Sequence, residues 1–434
     1  MQEQRKIRPL LIAEAANPEF VSVPLEGWSH SAAIRDLTDA HIVTQIRNRD
    51  AFVRAGLVEG QDFTALDTES FSRPMRKLFD FLRMGKGKGW TTTAVMSAIT
   101  YQYFERKVWQ TFGDDIKSGR FDLVHRLIPL TPTISSPIAP KCAAAGVPFL
   151  LGPLNGGLPW PKGFDAERRR EREWMSYIRS AYKILPGRAR TYNAASAIIV
   201  GSRHTQTEIP ARHQDKCVYI PENAIDPARF SLPPREGIET PLRGCFIGRL
   251  VPYKGADMLI EAAAPLMREG KLVLDFIGDG PMMDELKAQA AREGVEDAII
   301  WRGWVAHDQL QHVARESHLF TFPSVREFGG AVVLEAMILG VVPVIVDYGG
   351  PGEHVIEGTG YKLPIGPRTD LIQGLRDLLT RITDAPEQLP EVSKAGWERV
   401  QRKYTWAAKA AQTHQVYEWV LGRRAEKPDP FMDM

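Results

Sequence analysis

The stretch LFTFPSVREFGGAVVLEAMILGVVPVIVD, residues 319–347, contains two short apolar runs with a longer helical run between them. LFTFPS and VPVIVD have the length and the aliphatic or aromatic content of buried strands, and AVVLEAMIL has the spacing of a helix. A parallel pair of strands needs a long crossover connection, usually a helix. A helix between the two strands therefore indicates that they pair in parallel. The stretch therefore predicts an α/β fold built on a parallel sheet.

The same alternation of strands and helices runs along most of the chain. Further strand candidates are PLLIA, HIVTQ, FDLVH, VPFLLG, SAIIVG and CVYIP in the first half, and GCFIGR, LVLDFIG and AIIWRG in the second. Between the halves, residues 221–244 are rich in proline and poor in aliphatic residues, as is typical of a linker. We therefore predict two doubly wound domains, at 1–222 and 223–400, followed by a helix and tail at 401–434.

Length and composition exclude several classes of protein. A chain of 434 residues is longer than one hydrophobic core usually supports, which agrees with two domains. Its 55 basic and 53 acidic residues nearly cancel, so bulk charge does not indicate a nucleic-acid partner. The three cysteines lack metal-ligand spacing and are typical of a reducing compartment, which favours the cytoplasm. The longest apolar run, 331–346, is interrupted by Glu335 and Gly340, so no membrane span is predicted.

Two cations follow a strand end in the segment GRLVPYKG. Ligands of open α/β sheets bind at the carboxyl ends of strands. Arg249 and Lys254 would add charge-assisted hydrogen bonds to the free N–H groups of a helix start, which suits an anionic ligand. A solvated surface loop explains the same two residues, and the pattern alone leaves both interpretations open.

The turn Gly278-Asp279-Gly280-Pro281 imitates the start of a dinucleotide fingerprint. Met283 stands where the third small residue should be, and no acidic residue ends the next strand. Arg302 near that strand end would suit an NADP phosphate, so an oxidoreductase stays open as an alternative. A tight turn into a helix is the favoured interpretation.

Glu327 and Glu335 flank a Gly-Gly pair at the start of a predicted helix. Gly329 and Gly330 would let backbone approach a ligand, and the helix start would direct N–H groups toward a phosphate. Two carboxylates can accept hydrogen bonds from hydroxyls. A phosphate joined to many hydroxyls describes a sugar nucleotide. The simpler alternative is that Glu327 caps the helix and Glu335 forms an ion pair.

In their order and intervals, GRLVPYKG, IGDGP, WRGWV and REFGGAVVLEAMILGVVPVIV resemble the retaining GT-B glycosyltransferases that carry a Glu-x7-Glu motif, in glycosyltransferase family 4 (glycosyl transferases group 1). The resemblance covers residues 243–366, and YIPENAIDPARF extends it with departures at Glu222 and Ala224. It implies the GT-B fold, in which two Rossmann-like doubly wound domains face a cleft. The first would bind the acceptor and the second the nucleotide-sugar donor, while the C-terminal helix crosses back to the first domain.

The resemblance implies roles for residues of the second domain. Arg249 and Lys254, close to Gly248, would hold the diphosphate of the donor. Glu335 would accept hydrogen bonds from the ribose hydroxyls. Contacts to the donor sugar and its phosphate are implied for Glu327 and the backbone of Phe328, Gly329 and Gly330, and contacts to the base for the backbone at Trp304 and Val305.

The first domain departs more from the family. His125 matches a histidine found near the donor sugar, although a lone histidine at a strand end also fits a packed core residue. Where the family has a Gly-rich loop after the first strand, this chain offers only Gly27 for close approach to a diphosphate. In GPLNGGLPWP, Asn155 and Trp160 are candidates for acceptor contacts, and a rigid turn explains the segment as well.

Residues 168–190 predict a basic amphipathic helix. Trp174, Ile178, Tyr182 and Leu185 share one face and many arginines lie nearby. Such a helix either packs against the domain or lies on an anionic membrane, which would suit a lipid-linked acceptor. The predicted location is thus the cytoplasm, with the inner face of the cell membrane as the more specific alternative.

The predicted reaction is transfer of a sugar from a nucleotide diphosphate sugar to the hydroxyl of a carbohydrate or lipid-linked acceptor, with retention as the resemblance implies. Retaining hydrolases use a carboxylate nucleophile, and none is evident on the first-domain side, so we expect front-face substitution aided by the departing diphosphate. No Asp-x-Asp triplet occurs, so no metal or other cofactor is expected. The alternatives are a catalytically inactive sugar-nucleotide scaffold, or an epimerase or phosphorylase of the GT-B type.

Overall fold

The computed structural model describes residues 5–71, 73, 89–170, 186–235 and 237–432, which form two compact units. The first unit contains the described residues up to 156, then 186–222 and 409–432. The second contains 157–170 and 223–408. These bounds differ from the predicted domains at two places: residues 157–170 belong to the second unit, and the predicted final segment is divided between the units at 408/409.

The first unit is built on a seven-stranded sheet. Its strands are β1 (Pro9–Ala13), β2 (His41–Gln45), β3 (Phe63–Leu66), β4 (Leu123–Ile128), β5 (Phe149–Leu154), β6 (Ala197–Val200) and β7 (Cys217–Tyr219). They are arranged in the order β3-β2-β1-β4-β5-β6-β7, and neighbours are parallel. β1, β2, β4 and β5 are buried along their whole length, as expected for parallel strands covered on both faces.

The second unit is built on a six-stranded parallel sheet. Its strands are β8 (Leu242–Ile247), β9 (Leu272–Ile277), β10 (Ile299–Gly303), β11 (Leu319–Phe322), β12 (Val342–Asp347) and β13 (Tyr361–Pro364). They are arranged in the order β10-β9-β8-β11-β12-β13. The prediction of two doubly wound sheets is confirmed, and every strand candidate corresponds to a strand. The sequence analysis missed β3 and β13, which are short edge strands and only partly buried, so they lack an aliphatic run.

Helices cover both sheets. In chain order the described helices are α1 (Val23–Leu37), α2 (Arg49–Arg54), α3 (Gly89–Lys117), α4 (Ala139–Ala144), α5 (Asp165–Arg170), α6 (Pro186–Ala194), α7 (Arg203–Glu208), α8 (Ala256–Arg268), α9 (Met283–Glu293), α10 (Leu310–Ala314), α11 (Ala331–Ile338), α12 (Gly349–His354), α13 (Arg368–Asp384), α14 (Leu389–Lys403) and α15 (Trp406–Val420). The last helix completes the core of the first unit, where Val416 and Tyr417 join Leu11 and Leu127. Within the described residues, no helix combines the length and the apolar character that a membrane span requires.

The order of the strands indicates where each unit can bind a ligand. The order reverses between β1 and β4 in the first sheet and between β8 and β11 in the second. In open α/β sheets, ligands bind at the carboxyl ends of the strands next to such a reversal, where adjacent loops diverge. The loops after β8 and β11 are therefore the first place to look for a site in the second unit.

Candidate functional site

The loops that follow β8 and β11 lie side by side because these two strands are neighbours. The N–H of Val325 donates to the carbonyl oxygen of Tyr253 at 2.9 Å, and the Ser324 hydroxyl donates to the same oxygen at 3.3 Å. Gly255 is required at this junction, since its φ is 75° and a Cβ there would lie 2.5 Å from the Pro323 carbonyl oxygen. These contacts fix the position of the loop after β8 relative to the loop after β11.

Lys254 and Glu327, one from each loop, form an ion pair. Their side chains are 13% and 21% exposed, so the pair is shielded but reaches solvent. The Lys254 ammonium also lies 4.8 Å from the centroid of the Phe322 ring, within the range of a cation–π contact. Salt screens the attraction within a partly buried ion pair only weakly, so Glu327 stays bound to Lys254. An incoming anion therefore has to compete with Glu327 for the ammonium.

Arg249 lies in the same loop as Lys254 and is exposed. Among the residues that the structure describes, its guanidinium has neither a hydrogen bond nor an ion pair. The preceding Gly248 adopts a φ of 148° and donates its N–H to Ile277 at 2.9 Å, which sets the direction in which the chain leaves the strand. A guanidinium presents five N–H donors in a fork that matches oxyanions. A phosphate can therefore reach Arg249 without breaking an existing ion pair.

The start of α12 supports the turn that contains Glu327. The N–H of Gly350 donates to the carbonyl oxygens of Glu327, at 3.2 Å, and Phe328, at 2.9 Å. A Cβ on Gly349, whose φ is 67°, would lie 2.3 Å from the Glu327 carbonyl oxygen. The two glycines of α12 therefore let the backbone of this turn pack directly onto the next loop of the sheet.

Two further glycines shape the start of α11. The carbonyl oxygen of Gly329 lies 2.6 Å from His354 Nε2, which donates to it. Gly330 precedes the helix with a φ of 66°, and a Cβ there would lie 2.9 Å from the Pro351 nitrogen. No side chain of the described residues caps the first turn of α11. The helix start therefore offers N–H groups and partial positive charge to an anion.

Glu335 lies in the second turn of α11 and is 16% exposed. Its Oε1 lies 3.1 Å from His307 Nε2. On the other side of that ring, Nδ1 lies 2.9 Å from a guanidinium nitrogen of Arg229. The carboxylate predicted to meet ribose hydroxyls is thus already held by a neighbouring side chain.

The loop after β10 exposes a large aromatic side chain. Gly303 ends the strand with a φ of 65°, and its carbonyl oxygen accepts the N–H of Gly278 at 2.7 Å. Trp304, the next residue, is 77% exposed, and Val305 is partly exposed. The predicted contact of this backbone with a base stays a prediction.

The turn that imitates a dinucleotide fingerprint is explained by packing. A Cβ on Gly280 would lie 2.4 Å from the Leu250 carbonyl oxygen, so glycine lets this turn approach the loop after β8. Arg302 is bound to Asp275, with 3.1 Å between Nε and Oδ1. Both features therefore have roles inside the second unit that need no dinucleotide.

The part of the chain that contains these loops matches a known family model. Residues 231–391, which include Arg249, Lys254, Glu327 and Glu335, match the model of the family Glycosyl transferases group 1. The glycogen synthase of Mycobacterium tuberculosis is 30% identical over 216 residues, which are 49% of this chain and 51% of that protein. The chain thus spans about half the length of the curated relatives it matches.

Solved structures resemble nearly the whole chain. A glycosyltransferase from Rickettsia africae matches with a TM-score of 0.60 at 12% identity, over 97% of this chain and 100% of the other. The Anabaena protein HepE, solved in complex with UDP and glucose, matches with a TM-score of 0.54 at 16% identity, over 94% and 98%. The chain has the GT-B fold. Its first and second units are the two Rossmann-like domains of that fold.

His125 is wholly buried in the first domain of this GT-B protein. Its Nε2 lies 2.8 Å from the Gly152 carbonyl oxygen, and its Nδ1 lies 2.7 Å from the Tyr417 hydroxyl. A carbonyl oxygen can only accept, so Nε2 carries the proton and Nδ1 accepts from Tyr417. Burial lowers the pKa of His125 to about 3. Both ring nitrogens are thus engaged within the domain, and the role implied beside a donor sugar stays a prediction.

Gly27 lies inside α1 and not in a phosphate-binding loop. A Cβ there would lie 2.7 Å from Cγ1 of Ile128, so glycine allows the helix to pack closely on β4. The loop before α1 is held by Asn17, which donates to Asn48 at 3.0 Å, and contains Ser22 with a φ of 63°. Packing accounts for glycine at position 27, and its contact with a diphosphate stays a prediction.

A buried charged cluster lies next to Gly27. The Lys409 ammonium donates to the Glu222 carbonyl oxygen, and the Glu26 carboxyl lies near enough to affect its charge. Burial lowers the pKa of Lys409 to about 7, against the opposing effect of Glu26 and Glu222. Burial likewise raises the pKa of Glu26. The sequence analysis missed this cluster because no pattern of charges around Lys409 in α15 indicates that this lysine is buried.

The two predicted acceptor residues lie in different domains. Asn155 donates to Glu222 Oε1 at 2.5 Å in the first domain. Trp160 lies in the second domain, with its ring centroid 6.0 Å from that of Tyr253 and 4.8 Å from the guanidinium carbon of Arg326. Trp160 therefore packs beside the residue that precedes Lys254. Contact with an acceptor stays a prediction for both residues.

Most of the predicted amphipathic segment lies outside the described residues, including Trp174, Ile178, Tyr182 and Leu185. At its start, Arg170 lies 3.7 Å from Glu285. At its end, Arg188 is buried and packs 4.8 Å from the Tyr192 ring. Contact with a membrane stays a prediction.

Proposed function

We propose that the chain is a retaining glycosyltransferase that moves a sugar from a nucleotide diphosphate sugar to an acceptor hydroxyl. The observation that carries this proposal is the arrangement at the carboxyl edge of the second sheet. There, an exposed Arg249 and Lys254 lie on the loop after β8, and Glu327 lies on the neighbouring loop after β11. The loop after β11 leads into α11, whose first turn no described side chain caps, and to Glu335. Cations and helix N–H groups suit a diphosphate, and the carboxylates suit hydroxyls.

In the proposed chemistry, the protein accelerates the reaction mainly by stabilising the leaving group. Charge develops on the departing diphosphate as the bond to the sugar breaks, and preorganised donors lower the barrier most when they face that charge. Arg249 and the N–H groups of α11 would supply such donors, and Lys254 would join them once the diphosphate displaces Glu327. The departing diphosphate would help to take the proton of the acceptor hydroxyl, so that the sugar is transferred on one face with retention.

The relatives support a sugar-nucleotide donor. HepE was solved with UDP and glucose, and α-D-kanosaminyltransferase and 2-deoxystreptamine glucosyltransferase are named for transfer of sugars. We propose a carbohydrate or lipid-linked acceptor, no metal requirement, and a cytoplasmic setting that includes the inner face of the cell membrane. The absence of an Asp-x-Asp triplet in the sequence motivates the proposal on metals.

Thermal stabilisation by UDP-, GDP-, ADP- and TDP-sugars in the presence of a chelator tests the proposal. At a hundredfold excess over Kd, one nucleotide class is expected to raise Tm by roughly 5–10 °C. Glu335→Ala is expected to lose most of this shift, because the ribose loses a charged acceptor. Glu296→Ala, which removes an exposed carboxylate at the opposite end of β10, is the matched control and should keep it.

Product analysis separates the alternatives. Release of nucleoside diphosphate that depends on an added carbohydrate or lipid-linked acceptor supports transfer. Binding without any turnover would instead indicate a scaffold, and conversion of the sugar nucleotide itself, or of a glycoside with phosphate, would indicate an epimerase or a phosphorylase. If no nucleotide stabilises the protein, the proposal is wrong.

A further inference from the structure

His307 connects residues 226–231, near the start of the second domain, to the carboxylate of Glu335. The ring is 44% exposed and therefore reaches the surface, whereas the Glu335 side chain is 16% exposed. Nε2 of His307 lies 3.1 Å from Oε1 of Glu335. His307 also follows Trp304 and Val305 in the loop after β10, so one loop contributes to both the predicted base contact and this carboxylate.

Arg229 determines which nitrogen of His307 carries the proton. Its guanidinium nitrogen lies 2.9 Å from Nδ1, and a guanidinium can only donate. Nδ1 must therefore accept, which places the ring proton on Nε2, where it points at Glu335. The three side chains are joined by two hydrogen bonds, in which Arg229 donates to His307 and His307 donates to the Glu335 carboxylate.

The segment that carries Arg229 is itself fixed. The N–H of Ala228 donates to Asp226 Oδ1 at 3.0 Å, which forms a tight turn before Arg229. Phe230 is buried, and its ring centroid lies 5.7 Å from that of His307 in an edge contact. The N–H of Ser231 donates to the Gln311 side chain at 3.1 Å. The position of His307 is therefore set by packing and hydrogen bonds from two separate segments of the second domain.

We propose that His307, oriented by Arg229, is a positioning residue that holds Glu335 ready for the vicinal 2′,3′-diol of a nucleoside diphosphate. The proposal rests on the proposed function, because it assigns the diol to Glu335. By occupying Oε1 from one side, His307 fixes the rotamer of the glutamate and leaves Oε2 to accept from the ribose. A glutamate that is already ordered loses less conformational entropy when the nucleotide binds.

This role predicts a selective defect. In His307→Leu, Glu335 is free to rotate, so the Kd for the nucleoside diphosphate is expected to rise about tenfold, as for loss of a hydrogen bond to a charged group. The Kd for the 2′,3′-dideoxy analogue, which has no diol to offer Glu335, should change much less. The preference for the ribonucleotide over the dideoxynucleotide therefore shrinks.

Isothermal titration of the full chain tests this prediction. UDP, GDP and ADP are titrated first, and the tightest binder is then compared with its 2′,3′-dideoxy analogue in wild type, His307→Leu, His307→Gln and His312→Leu. Glutamine can accept from Arg229 and donate to Glu335, so His307→Gln should restore the preference. His312 is an exposed histidine in the neighbouring α10, and His312→Leu should resemble wild type.

The outcomes separate this inference from the proposed function. If wild type binds no nucleoside diphosphate, both are wrong. If wild type prefers the ribonucleotide and His307→Leu keeps that preference, the positioning role alone is wrong. The positioning role is also wrong if His307→Gln and His307→Leu lose the preference equally, because then the imidazole contributes something other than an N–H aimed at Glu335.

Discussion

Arg249→Ala is expected to lower the turnover number by about two to three orders of magnitude, which corresponds to roughly 3–4 kcal/mol of transition-state stabilisation. The physical reason is that Arg249 is exposed and makes no ion pair within the described residues, so its whole donor capacity is available to a leaving diphosphate. Turnover is measured as release of nucleoside diphosphate at saturating donor and acceptor, using the sugar nucleotide that stabilises the protein most.

A matched control separates this effect from a loss of surface charge. Arg292, near the end of α9, is also an exposed arginine of the second domain, and Arg292→Ala should leave turnover unchanged. The thermal unfolding of both variants should equal that of wild type, because neither side chain packs in the core. Near-normal turnover of Arg249→Ala would exclude Arg249 from the stabilisation of the leaving group.

Lys254 would give a less direct answer than Arg249. Its ammonium already pairs with Glu327, and both side chains are largely shielded. Removal of the lysine leaves a partly buried carboxylate without its counterion, which destabilises the loop as well as the site. A loss of activity in Lys254→Ala would therefore mix two causes, whereas Arg249→Ala changes one.

The architecture follows from the sequence because the central strands are buried on both faces. Continuous runs such as PLLIA and VPVIVD can satisfy that environment, and their alternation with helices requires parallel pairing. The edge strands β3 and β13 carry no such run. The placement of residues 157–170 in the second unit was also missed, because it depends on contacts such as the Tyr348 hydroxyl donating to Pro159 at 2.9 Å.

Sequence reasoning singled out the loops of the candidate site but not the contacts that hold them. Arg249, Lys254, Glu327 and Glu335 could be singled out because each follows a recognisable strand end or lies at a helix start. The support of Glu335 by His307 joins residues 28 apart, and the contact between His307 and Arg229 joins residues 78 apart. Neither pair has a local spacing that would mark it in the sequence. The pairing becomes visible only when the loop after β10 and the linker are brought together.

His125 illustrates the opposite limit. The sequence placed His125 at the end of a strand, which suggested chemistry, but β4 continues to Ile128, so the residue lies inside the strand, and both of its ring nitrogens are hydrogen-bonded inside the domain. Sequence could not distinguish these two environments, because the partner Tyr417 comes from α15, 292 residues away.

The first domain is expected to lose stability as the pH falls from about 6.5 towards about 3, in part through His125. Burial lowers the pKa of the folded ring from 6.5 to about 3, whereas the unfolded ring takes up its proton near 6.5. Between these values the unfolded state binds one more proton, so the free energy of unfolding falls by about 1.4 kcal/mol for each pH unit. The stability that depends on a neutral His125 is fully present above pH 6.5 and is lost progressively as the pH falls from there towards about 3.

His125→Gln should remove this part of the pH dependence while it keeps both hydrogen bonds, because the amide donates to Gly152 and accepts from Tyr417. Urea unfolding of wild type and variant is compared between about pH 7 and pH 4.5. The unfolding transition that is followed is the one whose midpoint the substitution shifts at pH 7. Over that range the stability of the variant relative to wild type should rise by roughly 2–3 kcal/mol. His312→Gln, whose ring is exposed, should follow wild type. Parallel curves for His125→Gln and wild type would mean that the folded domain admits a proton to this site, and would contradict the closed environment from which the prediction follows.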